Sequence, residues 1–271
     1  MFADVVQGAE RQVDAGRVMM FPRHDMLDLI VIDGGKGQLN AAYTALAEVG
    51  LAGQKVLLLA DQVAGGFEWG GRNADGSPNL TAPAPKTADG KPDLSGIWEQ
   101  DSMTHFRDLT SDMKPEDVPW RPEAKALRAS RADGARGLEE PDANCLPQGV
   151  PKINAAPVPF KIVQTPKLVL LVYEAFNLWR QVHLDGRQLI DDPNPTWLGW
   201  STGRWDGDTL VVETRGLNGK AWMDTSGTPG SDAMRVTERF HRTSVGHMDL
   251  EITIDAPKSF TRPWTAKEKL H

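Results

Sequence analysis

The feature that most constrains this chain lies between residues 160 and 255. Short apolar stretches recur there, each bounded by Gly, Asp, Asn or Pro, and most alternate apolar with polar side chains. Side chains on a strand point to opposite faces in turn, so this period of two predicts strands that bury one face. The segments are 160–164, 168–175, 178–184, 198–204, 209–214, 234–241 and 247–255. Residues 94–100 and 261–265 add two more, giving about eight or nine strands, enough to close a sheet on itself and remove its edges. The expected fold class is therefore mostly β. It is an antiparallel meander curled into a barrel-like body, with its inner wall enclosing a cavity. Asp185-Gly186 and Asp206-Gly207 are hairpin cues.

The last hairpin can be read residue by residue. Met248, Leu250, Ile252 and Ile254 should face the core, and His247, Asp249, Glu251 and Thr253 the solvent. On the preceding strand Met234, Val236, Glu238 and Phe240 share a face. A five-residue loop at 242–246 would set Arg239 opposite Asp249. Glu238 is the anomaly, a carboxylate on an apolar face. A buried unpaired carboxylate is costly, so it calls for an arginine, a ligand or water. It is half of a structural ion pair, a residue at a sheet edge, or a carboxylate lining a pocket.

The rest of the chain differs. All nine tryptophans lie at residue 69 or later, and 13 of the 19 prolines fall between 78 and 166. Residues 1–60 read as α/β. The run LDLIVI (27–32) suits a buried strand, and a glycine turn and a helical repeat of apolar residues follow it. A second buried-strand run, VLLLA (56–60), completes a βαβ unit. Residues 61–92, rich in Gly, Pro, Asn and Asp, read as a linker, and 93–271 as the β-rich domain.

With a net charge of −7 the chain is not expected to bind nucleic acid broadly. No apolar run has the roughly 18 residues a membrane helix needs. The single cysteine, Cys145, excludes an internal disulfide and a multi-cysteine zinc site. The first residues show no basic and apolar signal-peptide pattern. Localisation and oligomeric state stay open.

Residues 27–60, with the string DGGKGQL at 33–39, resemble the C-terminal nuclease half of the excision-repair subunit UvrC. The resemblance implies that Asp33 helps hold a divalent metal in a ribonuclease-H-like site. The family's earlier aspartate strand and its later acid and histidine segment have no counterpart here, so the segment reads as a truncated fragment. Residues 83–271 resemble an uncharacterised family of soil-bacterial proteins. The strings that carry this are TADGKPDLSGIW (87–98), DPNPTW (192–197), GRWDGDTLVVET (203–214) and VTERF (236–240). This resemblance implies an exported β-rich domain without an assured activity. Gly96-Ile97-Trp98 also resembles the GxW of lipocalin-like barrels, which implies a tryptophan closing one barrel end.

Three constellations bear on chemistry. Gly199-Trp200-Ser201-Thr202-Gly203 fits the GxSxG pattern of serine hydrolases, in which a strand turning sharply into a helix exposes the serine to a histidine. Here a hairpin follows instead. His183 and His247 are candidate bases, with His241, Asp224 and Asp232 as further partners, and Glu238 is a candidate pocket carboxylate. Asp185, Asp191, Asp192, Asp206 and Asp208 cluster near turns, where oxygen ligands can gather calcium. Trp179, Trp197, Trp200 and Trp205 bracket the meander as core, rim or ligand wall. Three expectations follow, the first two being a hydrolase of small ester or lactone bonds, calcium-assisted, and a non-catalytic binder of an apolar small molecule. A metal-dependent nuclease remnant is the third.

Overall fold

The computed structural model describes residues 17–23, 26–33, 56–59, 73–74, 77–131, 134 and 136–271. Contacts divide the chain into two compact units, Met1–Glu68 and Trp69–His271. In the first unit β1 (Arg17–Arg23) pairs antiparallel with β2 (Met26–Asp33), and β2 pairs parallel with β3 (Val56–Leu59). A parallel pair needs a crossover, as the βαβ expectation required. The expected helix between β2 and β3 lies outside the described residues. Strand β1 was not expected.

The second unit is a nine-stranded sheet in the order β12 to β4. Its strands are β4 (Gly96–Trp98), β5 (Phe160–Thr165), β6 (Leu168–Tyr173), β7 (Trp179–His183), β8 (Trp200–Asp206), β9 (Thr209–Arg215), β10 (Arg235–Ser244), β11 (His247–Asp255) and β12 (Trp264–Leu270). Just past β4 the chain meets β12, where Gln100 bridges Leu270. Glu99 and His271 exchange two backbone hydrogen bonds of 3.0 Å, and the Asp101 amide donates to Lys269. This seam brings the two ends of the sheet together. Strand direction alternates in an antiparallel ring, so an odd number of strands can meet antiparallel at the seam only if one neighbour pair is parallel. That pair is β7 and β8, joined at Val182–Ser201 and His183–Thr202.

The Asp185-Gly186 hairpin expectation is thereby corrected. Residues 184–199 carry Pro193 and Pro195, which lack the donor a ladder requires, and the segment crosses over to return the chain in the same direction. The expected register of the last hairpin is corrected too. Strands β10 and β11 run to Ser244 and from His247, with an irregularity between Arg242 and Ser244. Arg239 therefore faces Glu251, and Asp249 faces His241. The tighter Val245-Gly246 turn, in place of a five-residue loop, moves the pairing by two.

Alternation holds along β11: Met248, Leu250, Ile252 and Ile254 are at most 1% exposed. They meet Val212, Val236, Phe240 and Ala266 in one core. Each fully buried aliphatic side chain contributes roughly 1.5–3 kcal/mol. Among the described residues three short α-helices accompany the strands: α1 (Thr104–Arg107), α2 (Pro122–Arg131) and α3 (Lys152–Ala155). The residues of α3 are all buried and present Asn154 to the barrel interior. Among the described residues no helix is long and apolar enough to cross a membrane. Residues 77–92, which composition places in a linker, lie against the β10–β11 turn: the Val245 and Gly246 amides donate to Ala82 and Leu80 at 2.9 and 2.8 Å.

Candidate binding site

Among the described residues, polar side chains gather in the barrel interior and at one of its mouths, among other places. The interior holds Glu238, which is 0% exposed, and its counter-ion is Arg180 on β7. Arg180 shares the inner face with Val182, because both alternate with half-buried Trp179, Gln181 and His183. The guanidinium grips the carboxylate with both terminal nitrogens, one at 3.0 Å. Its Nε donates to Ser201 Oγ at 2.9 Å, and one terminal nitrogen also donates to Thr214 Oγ1. Asn154 donates to Glu238 and accepts from the Tyr173 hydroxyl at 2.6 Å. Burial alone would lower the Arg180 pKa. The facing Glu238 charge and its hydrogen bonds more than reverse this, so the guanidinium stays charged. Burial raises the Tyr173 pKa, so its hydroxyl stays protonated.

This network occupies part of the interior that the curled sheet was expected to enclose as a cavity. Ser201 is 4% exposed, and its oxygen lies between Arg180 and Thr214. In the parallel β7–β8 pairing Ser201 sits beside Val182 on the inner face, while His183 sits beside Thr202 on the outer one. His247 opens β11 beside the turn, sharing a 2.9 Å hydrogen bond with Ser244. His241 is exposed and meets Thr209 at 3.3 Å. Asp224 is buried and accepts from Thr228 and the Leu109 amide, and Asp232 pairs with Lys258 at the surface. The structure joins Ser201 and Glu238 through Arg180, and it places His183, His241, His247, Asp224 and Asp232 elsewhere.

The turn aspartates are likewise dispersed among cations. Asp191 pairs with Arg215 at 3.3 Å, Asp206 with Arg239 at 2.9 Å, Asp208 with Lys86 at 3.4 Å and Asp185 with Arg187 at 2.6 Å. Asp192 is exposed. Among the described residues no three His, Cys, Asp or Glu side chains are grouped to hold a metal. The four tryptophans do not share a wall. Trp179 alternates with inward Arg180, and Trp200 with inward Ser201, which puts both on the outer face. Trp200 donates to the Asn194 carbonyl at 2.8 Å. Trp205 packs against the core with Lys91 5.9 Å from its ring, and Trp197 lies half-buried in the 184–199 segment.

The mouth is built where β4, the β10–β11 turn and the end of β12 meet. A recess of about 570 Å³ is lined there by Leu80, Gly96, Ile97, Trp98, Asp101, Arg242, Val245, Gly246, His247 and His271. Trp98 points inward, 2% exposed, and its indole N–H donates to the Leu94 carbonyl at 2.9 Å. Arg242 stacks on it, with the guanidinium carbon 4.9 Å from the ring centroid. The same guanidinium donates to the carbonyls of Asp93, Ser95, Ser244 and Val245, fastening the segment before β4 to the β10–β11 turn. Burial lowers the Arg242 pKa to about 10, partly offset by Asp93. Ile97, 68% exposed, and Leu80, 50% exposed, supply apolar surface at the rim. His271 meets Asp101 at 2.7 Å. Gly246 is required by packing: a Cβ there would come within 2.7 Å of the Leu80 Cβ.

Sequence reasoning missed Arg180, Arg242 and Glu268. Arg180 had a signal, since it shares the parity of Val182. For Arg242 the parity of Phe240 was available, but the assumed loop at 242–246 concealed it.

The family model of the UvrC RNAse H endonuclease domain matches residues 5–68, a minor part of the chain that coincides with the first unit. The match supports a UvrC-like fragment there. Asp33 ends β2, opposite Leu59 of β3. No curated protein and no solved structure matches the chain.

Proposed function

We propose that the second unit is a non-catalytic, lipocalin-like binder of a small, largely apolar molecule, received at the mouth rather than in the barrel interior. The observation that carries this is the recess at Gly96-Ile97-Trp98. Its volume of about 570 Å³ suits a small ligand, and exposed Ile97 and Leu80 stand on its rim. Its polar groups, His247, His271 and Asp101, are few and placed to orient one polar end of a ligand. The hydrolase alternative is less well supported. A nucleophilic serine needs a base within hydrogen-bond reach, and Ser201 Oγ instead accepts a bond from a permanently charged guanidinium.

The test is titration with an environment-sensitive apolar dye, followed by competition with short-chain alkanols and fatty esters, on wild type and Ile97→Glu. Saturable binding that Ile97→Glu weakens at least tenfold is expected, with no turnover of p-nitrophenyl esters or lactones. Binding untouched by Ile97→Glu would contradict the site. Ester turnover lost in Ser201→Ala would restore the hydrolase.

A further inference from the structure

Glu268 on β12 alternates inward with Ala266 and Leu270 and is 4% exposed. One carboxyl oxygen accepts from the Gln100 side chain at 2.6 Å, and the other, Oε1, is buried with no hydrogen-bond partner. Gln100 is the residue that bridges Leu270 across the seam, and its side-chain nitrogen also donates to the Asn154 carbonyl. The Glu268–Gln100 bond therefore ties β12 to the chain leaving β4 from inside the barrel.

The charges around Glu268 do not favour a second carboxylate. Arg180 already faces Glu238, and Glu238 and Asp112 both place negative charge near Glu268. Asp112 has its own contacts, with His105 at 3.0 Å and the Lys267 amide at 2.7 Å. Tyr173 is protonated and bonded to Asn154. Lys152, also buried, is paired with Glu140 and Asp142.

We propose that Glu268 is a proton-operated latch on the seam between β4 and β12. With its proton the neutral carboxyl tolerates the dry interior and holds Gln100. When the proton leaves to solvent, the carboxylate lacks a cation and has an unbonded oxygen, and it is relieved by water entering where the ring is held by few backbone bonds. Burial, opposed by the Gln100 hydrogen bond and reinforced by the nearby negative charges, raises the Glu268 pKa from its ordinary 4.5 to about 8. The folded state thus holds this proton more tightly than the unfolded chain. The stabilisation is fully present below pH 4.5 and is lost as pH rises through about 8. The latch does not depend on what the mouth binds.

The test is chemical denaturation of the full chain from pH 5 to 9, with hydrogen exchange of the Glu99, Asp101 and His271 amides, for wild type and Glu268→Gln. In wild type the unfolding constant should rise on the order of a thousandfold more across that range than in Glu268→Gln. The three seam amides should exchange above pH 8 faster than the intrinsic base-catalysed increase, and Glu268→Gln should abolish the excess. If Glu268→Gln does not fold, the wild-type amides decide alone. Equal pH slopes in both proteins, or seam amides that follow only the intrinsic increase, would overturn the latch.

Discussion

Glu238 and Glu268 are two buried carboxyl groups in one barrel, and they are handled in opposite ways. Glu238 on β10 is gripped by Arg180 and bonded to Asn154. Glu268 on β12 has Gln100 alone and one oxygen without a partner. Placing a carboxyl on an inward strand position thus does not determine its charge. What determines it is whether the facing strand supplies a cation. Strand β7 supplies Arg180 to Glu238, whereas near Glu268 the seam brings up an amide and a second acid.

The comparison can be broken from either side. The largest effect is expected for Arg180→Ala, which leaves Glu238 buried without its cation and should cost about 3–5 kcal/mol in denaturant unfolding. The double replacement Arg180→Met with Glu238→Leu should recover most of that loss, and equal destabilisation of single and double variants would show that packing, not charge, is at stake. Next comes Glu268→Gln, expected to gain on the order of 4 kcal/mol at pH 9 and almost nothing at pH 4.5. A pH-independent change would remove the contrast between the two acids. Ser201→Ala removes one acceptor from Arg180 Nε and should cost about 1–3 kcal/mol at any pH. The smallest effect belongs to the surface. Arg239→Ala breaks a pair with Asp206 that is open to solvent, and should change stability by less than about 1 kcal/mol, less still in high salt.

Much of the barrel was legible because β10 and β11 alternate cleanly, and the core-facing set of β11 is the one that period two predicts. Strand β12 was only partly legible. Its stretch Ala266-Lys-Glu-Lys-Leu270 hides one inward acid between two outward lysines, so polarity masked the alternation. The anomaly at Glu238 was visible in sequence, but its partner lies 58 residues earlier, on a strand whose outer face is also polar. The parallel β7–β8 pair was not legible locally. It follows from closing an odd number of strands, a property of the ring rather than of any segment. The recess at the mouth joins residue 80, β4, the β10–β11 turn and the last residue of the chain, and only the GxW string pointed toward it.

Heteronuclear NMR during titration with an apolar ligand tests most directly whether the interior is filled and the mouth receives the ligand. The amides of Ile97, Trp98, Gly246, His247 and His271 should shift together and saturate, while those of Trp179, Ser201 and Glu238 stay in place. Shifts centred on Ser201 and the inner faces of β7 and β8, with the mouth unmoved, would contradict this.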